Sequence, residues 1–114
     1  MKNHEFPQRG DVFWVAMDPT VGSEIKKTRP ALIVSNDDNN AESPRVIVAP
    51  ITSSIKKVYR FEVKIELNGL EGKVLLDQIR TVDKTRLLKK ITHLDVEIMD
   101  LVDDALKITL ALSR

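Results

Sequence analysis

The amino-acid sequence predicts a mainly β protein, a small and strongly bent barrel with a C-terminal amphipathic helix packed on it. Three features carry that expectation: short apolar stretches broken by frequent turn residues, strict period-two alternation from Phe61 to Leu67, and an apolar stripe at helical spacing near the C-terminus. At 114 residues the chain is long enough for one domain with a core and too short for two. Residues 1–114 therefore read as a single unit.

Arg9-Gly10-Asp11 reads as a turn leading into Val12 to Met17, a nearly unbroken apolar run that includes Phe13 and the only tryptophan, Trp14. A run apolar on both faces predicts a central, buried strand. Asp18-Pro19 ends it, and a loop from Pro19 to Thr28 follows, of a length that in small domains often carries function. Ala31 to Ser35 is a second strand, ended by the turn-rich Asn36-Asp37-Asp38-Asn39-Asn40. Arg45 to Ala49 is a third, with Pro50 restricting what pairs beyond it.

Phe61 to Leu67 alternates apolar Phe61, Val63, Ile65 and Leu67 with Glu62, Lys64 and Glu66, so one face is expected to be wet. Asn68-Gly69, with Gly72, makes a hairpin turn into Lys73 to Leu76. Gln78 to Val82 and Leu87 to Ile91 are short extended segments joined by the polar link Asp83 to Arg86. Thr92 followed by Asp95 matches a helix-capping pattern. Beyond it Ile98, Leu101, Val102, Ala105, Thr109 and Leu112 share one helix face, and Glu97, Asp100, Asp104 and Lys107 the other. Past Ala105 the stripe widens through Leu106, Ile108 and Leu110, which points to a second copy of the chain covering the excess.

Composition narrows the function classes. There are no cysteines, which excludes disulfides and thiolate metal sites and fits a reducing compartment. The two histidines, His4 and His93, lie far apart and in no metal-binding spacing, so no metal site is expected. His93, in the cap region of the helix, reads as structural or solvated. No apolar run could serve as a signal peptide or cross a bilayer, so a cytoplasmic protein without membrane attachment is expected.

The net charge of +1 argues against binding polyanions by bulk charge. Positive charge is local instead: Lys26, Lys27 and Arg29 cluster in the first loop, and Lys56, Lys57 and Arg60 in another. Arg29 is the residue of most interest. Its guanidinium is a permanent cation with a planar fork of donors that fits two phosphate oxygens, and Pro30 restricts it to extended backbone at the start of a strand. A solvated arginine at a loop end is the plainer reading. Ile51-Thr52-Ser53-Ser54 places three hydroxyls at a strand end, which either cap the strand or supply a donor to an oxyanion.

Four stretches together, RGDVFWV, PTVGSEIKKTRPALIVSND, VIVAPITS and VLLDQIRTVDKTRL, followed by the C-terminal helix, resemble the MazF/PemK family of toxin endoribonucleases over nearly the whole chain. The resemblance implies an SH3-like barrel, a homodimer, and metal-independent cleavage of single-stranded RNA with no cofactor. It places the family's catalytic arginine and threonine on Arg29 and Thr52. It places RNA-binding positions on Gly22, Ser23, Glu24 and Gln78, and the basic pair Lys26 and Lys27 adjoins them. It also implies a cognate antitoxin that neutralises the toxin. This chain has Ile25-Lys26-Lys27 where many members have a glycine pair. Two other readings remain at this stage: a poison of DNA gyrase like the CcdB toxins, which share the barrel, and a binding module without chemistry.

Overall fold

The computed structural model describes residues 6–17 and 28–113. Seven strands and two helices follow in the order β1 (Asp11–Ala16), β2 (Thr28–Ile33), α1 (Asp37–Glu42), β3 (Arg45–Thr52), β4 (Glu62–Leu67), β5 (Leu70–Leu75), β6 (Arg80–Asp83), β7 (Leu87–His93) and α2 (Val96–Thr109). Every strand pairing is antiparallel. The order across the sheet is β4-β5-β3-β2-β1-β7, with β6 added along β3. The result is a curled half-barrel with α2 packed against β4.

Because side chains alternate across a strand, β1, β2 and β3 feed two cores at once. Val12, Leu32, Ala49 and Ile51 join Val63, Ile65, Val74 and Leu76 and meet Met99, Val102 and Ala105 of α2. Val15, Ala31, Ile33, Val46 and Val48 form a second cluster on the other face with Val82 of β6. That double burial is the reason the first strands read as continuous apolar runs.

The expected tight hairpin is present at Asn68-Gly69, where both residues have positive φ (49° and 86°), as a two-residue connection matching strand twist requires. Other expectations are corrected. The Asn36 to Asn40 turn is the entry to α1: the Asn36 side chain accepts a hydrogen bond from the Asn39 N–H, and the buried Asn40 amide donates to the Ser35 carbonyl and accepts from the Ser35 hydroxyl. Buried side-chain partners turn a polar turn signal into a helix of six residues.

The cap of α2 is Asp95, whose carboxylate accepts from the Ile98 N–H at 3.0 Å. Thr92 and His93 are taken instead by β7, in register with Val12 and Asp11. Strand pairing, which a local capping pattern cannot anticipate, claims those two residues. Likewise β3 continues through Pro50 to Thr52. Arg45 to Val48 pair with β6 and Ile51-Thr52 with β5, so Pro50 sits in the gap between two partners on that edge, where a missing N–H is tolerated. Leu76–Gln78 is a short 3-10 turn rather than strand, and β6 starts only at Arg80.

The N-terminal segment is tied down by Arg9, which donates to the Val34 carbonyl at 2.9 Å and to Asp103 of α2 at 2.7 Å. Gly10 has φ +100° and lies against the His93 ring, where an added Cβ would come within 2.9 Å of Cε1. His93 Nδ1 in turn sits 2.7 Å from the buried carboxylate of Asp11. Of the structural and solvated readings of His93, these contacts support the structural one, with half of the side chain still exposed. His93→Ala is expected to lower the thermal midpoint, by an amount matching roughly 1–2 kcal/mol for a lost partner of a buried carboxylate, and to leave the secondary structure unchanged. Melting curves together with circular dichroism check this.

Candidate active site

A groove of about 500 Å³ opens where β2 and β3 part company. Their mutual pairing ends at Ala31 opposite Pro50. From there β2 runs along β1, with Pro30 opposite Trp14 and Arg29 opposite Val15, while β3 runs along β5, with Ile51 opposite Val74 and Thr52 opposite Lys73. Continuing the β2–β3 register by two residues would set Arg29 across from Thr52. Both side chains line the groove, with Thr28, Pro30, Ile51 and Ser53 beside them. An arginine and a hydroxyl far apart in sequence are thus brought to one opening.

Their bonding states differ usefully. Among the described residues, the half-buried Arg29 guanidinium makes no hydrogen bond or ion pair, so its fork of donors is uncommitted. The Thr52 hydroxyl accepts from the Ser54 N–H at 3.2 Å and makes no other hydrogen bond among the described residues. An oxygen that accepts from backbone keeps its own O–H to donate. The two groups can therefore present three donors to an anion.

The remaining lining comes from two places the sequence reading did not mark. One is the β4–β5 hairpin, which contributes Leu67, Asn68, Leu70 and Glu71. The other is the β1–β7 seam, where the register shifts twice and passes over Trp14 and Ile91. Irregularities of this kind re-aim side chains. Trp14, expected to be buried, is instead 41 % exposed and faces the groove. Its position opposite Pro30, beside the arginine, is the sequence-level clue that pairing β1 with β2 would have supplied.

Of the RNA-binding positions expected from the sequence, Gly22, Ser23, Glu24, Lys26 and Lys27 lie outside the described residues. Gln78 is exposed at the end of the 3-10 turn between β5 and β6 and does not line the groove. No group of three or more His, Asp or Glu side chains capable of holding a metal occurs among the described residues. No helix is long and apolar enough to cross a membrane.

The wall behind Thr52 contains a charged pair. Lys73 Nζ lies 2.8 Å from Glu62 Oε1, and both side chains are almost wholly enclosed, so the face of β4 expected to be wet is dry at Glu62. Burial alone would raise the Glu62 pKa. The bond to Lys73, the Tyr59 N–H at 2.9 Å and the lysine charge outweigh it and hold the carboxyl below the ordinary glutamate value. A depressed carboxyl pKa contributes stability that is complete above the unfolded-state value and is lost as pH falls through the lower, folded one.

A curled antiparallel half-barrel with a terminal helix and a groove holding an unpaired arginine beside a hydroxyl defines a class, the small toxins of the MazF type. The model of the PemK-like, MazF-like toxins of type II toxin–antitoxin systems matches residues 8–110, and the chain belongs to that family. It is 49% identical over 110 residues to Endoribonuclease EndoA of Bacillus subtilis (strain 168), covering 92% of this chain and 95% of that protein. Among solved structures it resembles MazF from Deinococcus radiodurans, with a TM-score of 0.79 at 28% identity over 96% of this chain and 100% of that one. It also resembles a mycobacterial endoribonuclease in complex with its cognate antitoxin, with a TM-score of 0.79 at 26% identity over 95% of this chain and 98% of that one.

Proposed function

We propose that this protein is an endoribonuclease toxin that cuts single-stranded RNA without a metal, using the RNA's own 2′-hydroxyl as nucleophile, and that a cognate antitoxin neutralises it. The observation that carries the proposal is the convergence of an uncommitted guanidinium and a hydroxyl on one groove. In the reaction the 2′-oxygen bonds to the adjacent phosphorus and loses its proton, while the bond from phosphorus to the 5′-oxygen breaks and that oxygen gains one. The products are a 2′,3′-cyclic phosphate and a 5′-hydroxyl. Negative charge builds on the nonbridging oxygens on the way, and Arg29 meets it with paired charged hydrogen bonds while Thr52 adds a neutral donor.

The roles of Arg29 rank by chemistry. Charge stabilisation comes first, since a guanidinium keeps its proton across the pH range in which RNA is handled. Donation to the leaving 5′-oxygen comes second, and action as a base last. Apolar Trp14, Leu67, Leu70 and Ile91 suit the flat faces of unstacked bases, which are available only in single strands. Gly22, Ser23, Glu24, Lys26, Lys27 and Gln78 are the further residues proposed to contact RNA.

Antitoxin and RNA compete for the surface around Arg29, an extended acidic segment being the partner whose charge suits the Arg29 guanidinium. A second copy of the chain covers the apolar residues left bare on and after α2, where Leu101, Ile108, Leu110 and Leu112 are each between 42 and 58 % exposed. Incubating the purified protein with a long single-stranded RNA in EDTA tests the central reading. Cleavage to cyclic-phosphate ends supports it. An intact RNA overturns it, whether accompanied by inhibition of gyrase supercoiling or by no effect at all.

A further inference from the structure

The groove does not use Lys73, yet this lysine is placed to control it. Lys73 is the cross-strand neighbour of Thr52 on β5. Its ammonium is turned inward, with only 10 % of the side chain exposed, and makes two bonds, one to Glu62 at 2.8 Å and one to the backbone carbonyl of Lys57. Glu62 also accepts from the Tyr59 N–H. Lys57 and Tyr59 belong to the segment 53–61, which leaves the groove directly after Thr52 and carries no regular structure beyond isolated turns.

Three further contacts converge on the same point. Lys57 Nζ lies 4.7 Å and Lys73 Nζ 5.9 Å from the centre of the Tyr59 ring, which stacks on Phe61 at 5.2 Å with the rings 6° from parallel. On the Thr52 side, Gly72 is so close that an added Cβ would come within 2.9 Å of the Thr52 carbonyl oxygen. Thr52 is therefore braced by β5 on one side, and the chain leaving it is pinned to β5 by one lysine on the other. A buried ammonium held by a carboxylate and a carbonyl has a single low-energy position.

We propose that the Lys73–Glu62 pair with the Lys57 carbonyl is a clamp that positions Thr52 for the reaction, making Lys73 and Glu62 positioning residues of the active site. The inference rests on the reading of Arg29 and Thr52 given above and adds a device to it. Without the clamp the segment after Thr52 is free to shift, and its hydroxyl leaves the place where phosphate charge develops. Misplacement of about 1 Å in a catalytic group lowers rates by up to about a hundredfold.

The test uses the paired replacement Lys73→Met with Glu62→Gln, which leaves no unpaired buried charge and keeps an acceptor for the Tyr59 N–H. Melting and circular dichroism establish that the variant is folded, and single-turnover cleavage of a long single-stranded RNA follows. The expected result is a fall in the saturating rate of about tenfold or more with KM within about threefold of native. In a Thr52→Ala background the same pair should change the rate by less than about twofold, because the clamp acts through Thr52.

A merely structural pair would lower both backgrounds equally, and that outcome, or a folded variant with native rate, overturns the proposal. Should the double variant not fold, Glu62→Gln alone must still lower the rate with KM little changed, and a native rate there overturns it equally. Full activity of Thr52→Ala by itself would instead sink the reading of the groove, leaving the two failures distinguishable.

Discussion

Arg29→Ala is expected to reduce the saturating cleavage rate about a thousandfold or more while the folded protein still binds RNA. Removing one transition-state donor from a preorganised site typically loses 10²–10³, and the guanidinium supplies two charged ones. Nothing among the described residues replaces it, because no other arginine or lysine lines the groove. Arg29→Lys is expected to recover only part of the loss, since an ammonium cannot span two oxygens with a fixed fork. Thr52→Ala removes a single neutral donor and should lose about tenfold to a hundredfold. Rates at saturating RNA, with binding measured separately on a non-cleavable strand, distinguish these from a simple loss of affinity. Near-native cleavage by folded Arg29→Ala would end the proposal.

An RNA carrying one 2′-deoxy position at the cleavage point is expected to bind with nearly native affinity and to remain uncut. In the proposed reaction the nucleophile is the one atom the protein does not provide. Among the described residues the groove offers no carboxylate–histidine pair to activate water, and its single carboxylate, Glu71, lies 3.2 Å from Lys64. Every other 2′-hydroxyl of the strand remains to be recognised, so affinity should change by no more than about threefold. Gel analysis of the strand and mass spectrometry of products from the unmodified one settle the matter. Cleavage of the deoxy strand, or 5′-phosphate ends from the native one, would require a water nucleophile and a different mechanism.

Much of this molecule follows from local chemistry. Asn68-Gly69 sets its own hairpin because both positions need positive φ, and the period-two pattern after Phe61 marks β4 without reference to anything distant. Val102 and Ala105 on one face of α2 announce a helix packed on a sheet. Arg29 and Thr52 could be singled out by motif and by the chemistry of their side chains. Other features were illegible for a common reason. Whether Thr92 caps a helix or pairs in a strand depends on Val12, eighty residues earlier. Whether Glu62 is wet depends on Lys73, and whether Trp14 is buried depends on where β7 slips its register.

The sequence by itself determined most of the strands, the long helix and the family, and singled out the two side chains proposed to react, since turn geometry, side-chain period and functional-group chemistry are properties of neighbouring residues. Tertiary structure alone decided that the guanidinium and the hydroxyl face one opening, because that opening exists only where β2 turns to β1 and β3 turns to β5. Pairing between strands acts over long separations in the chain, and a groove formed by two strands separating is a property of the sheet, not of either strand.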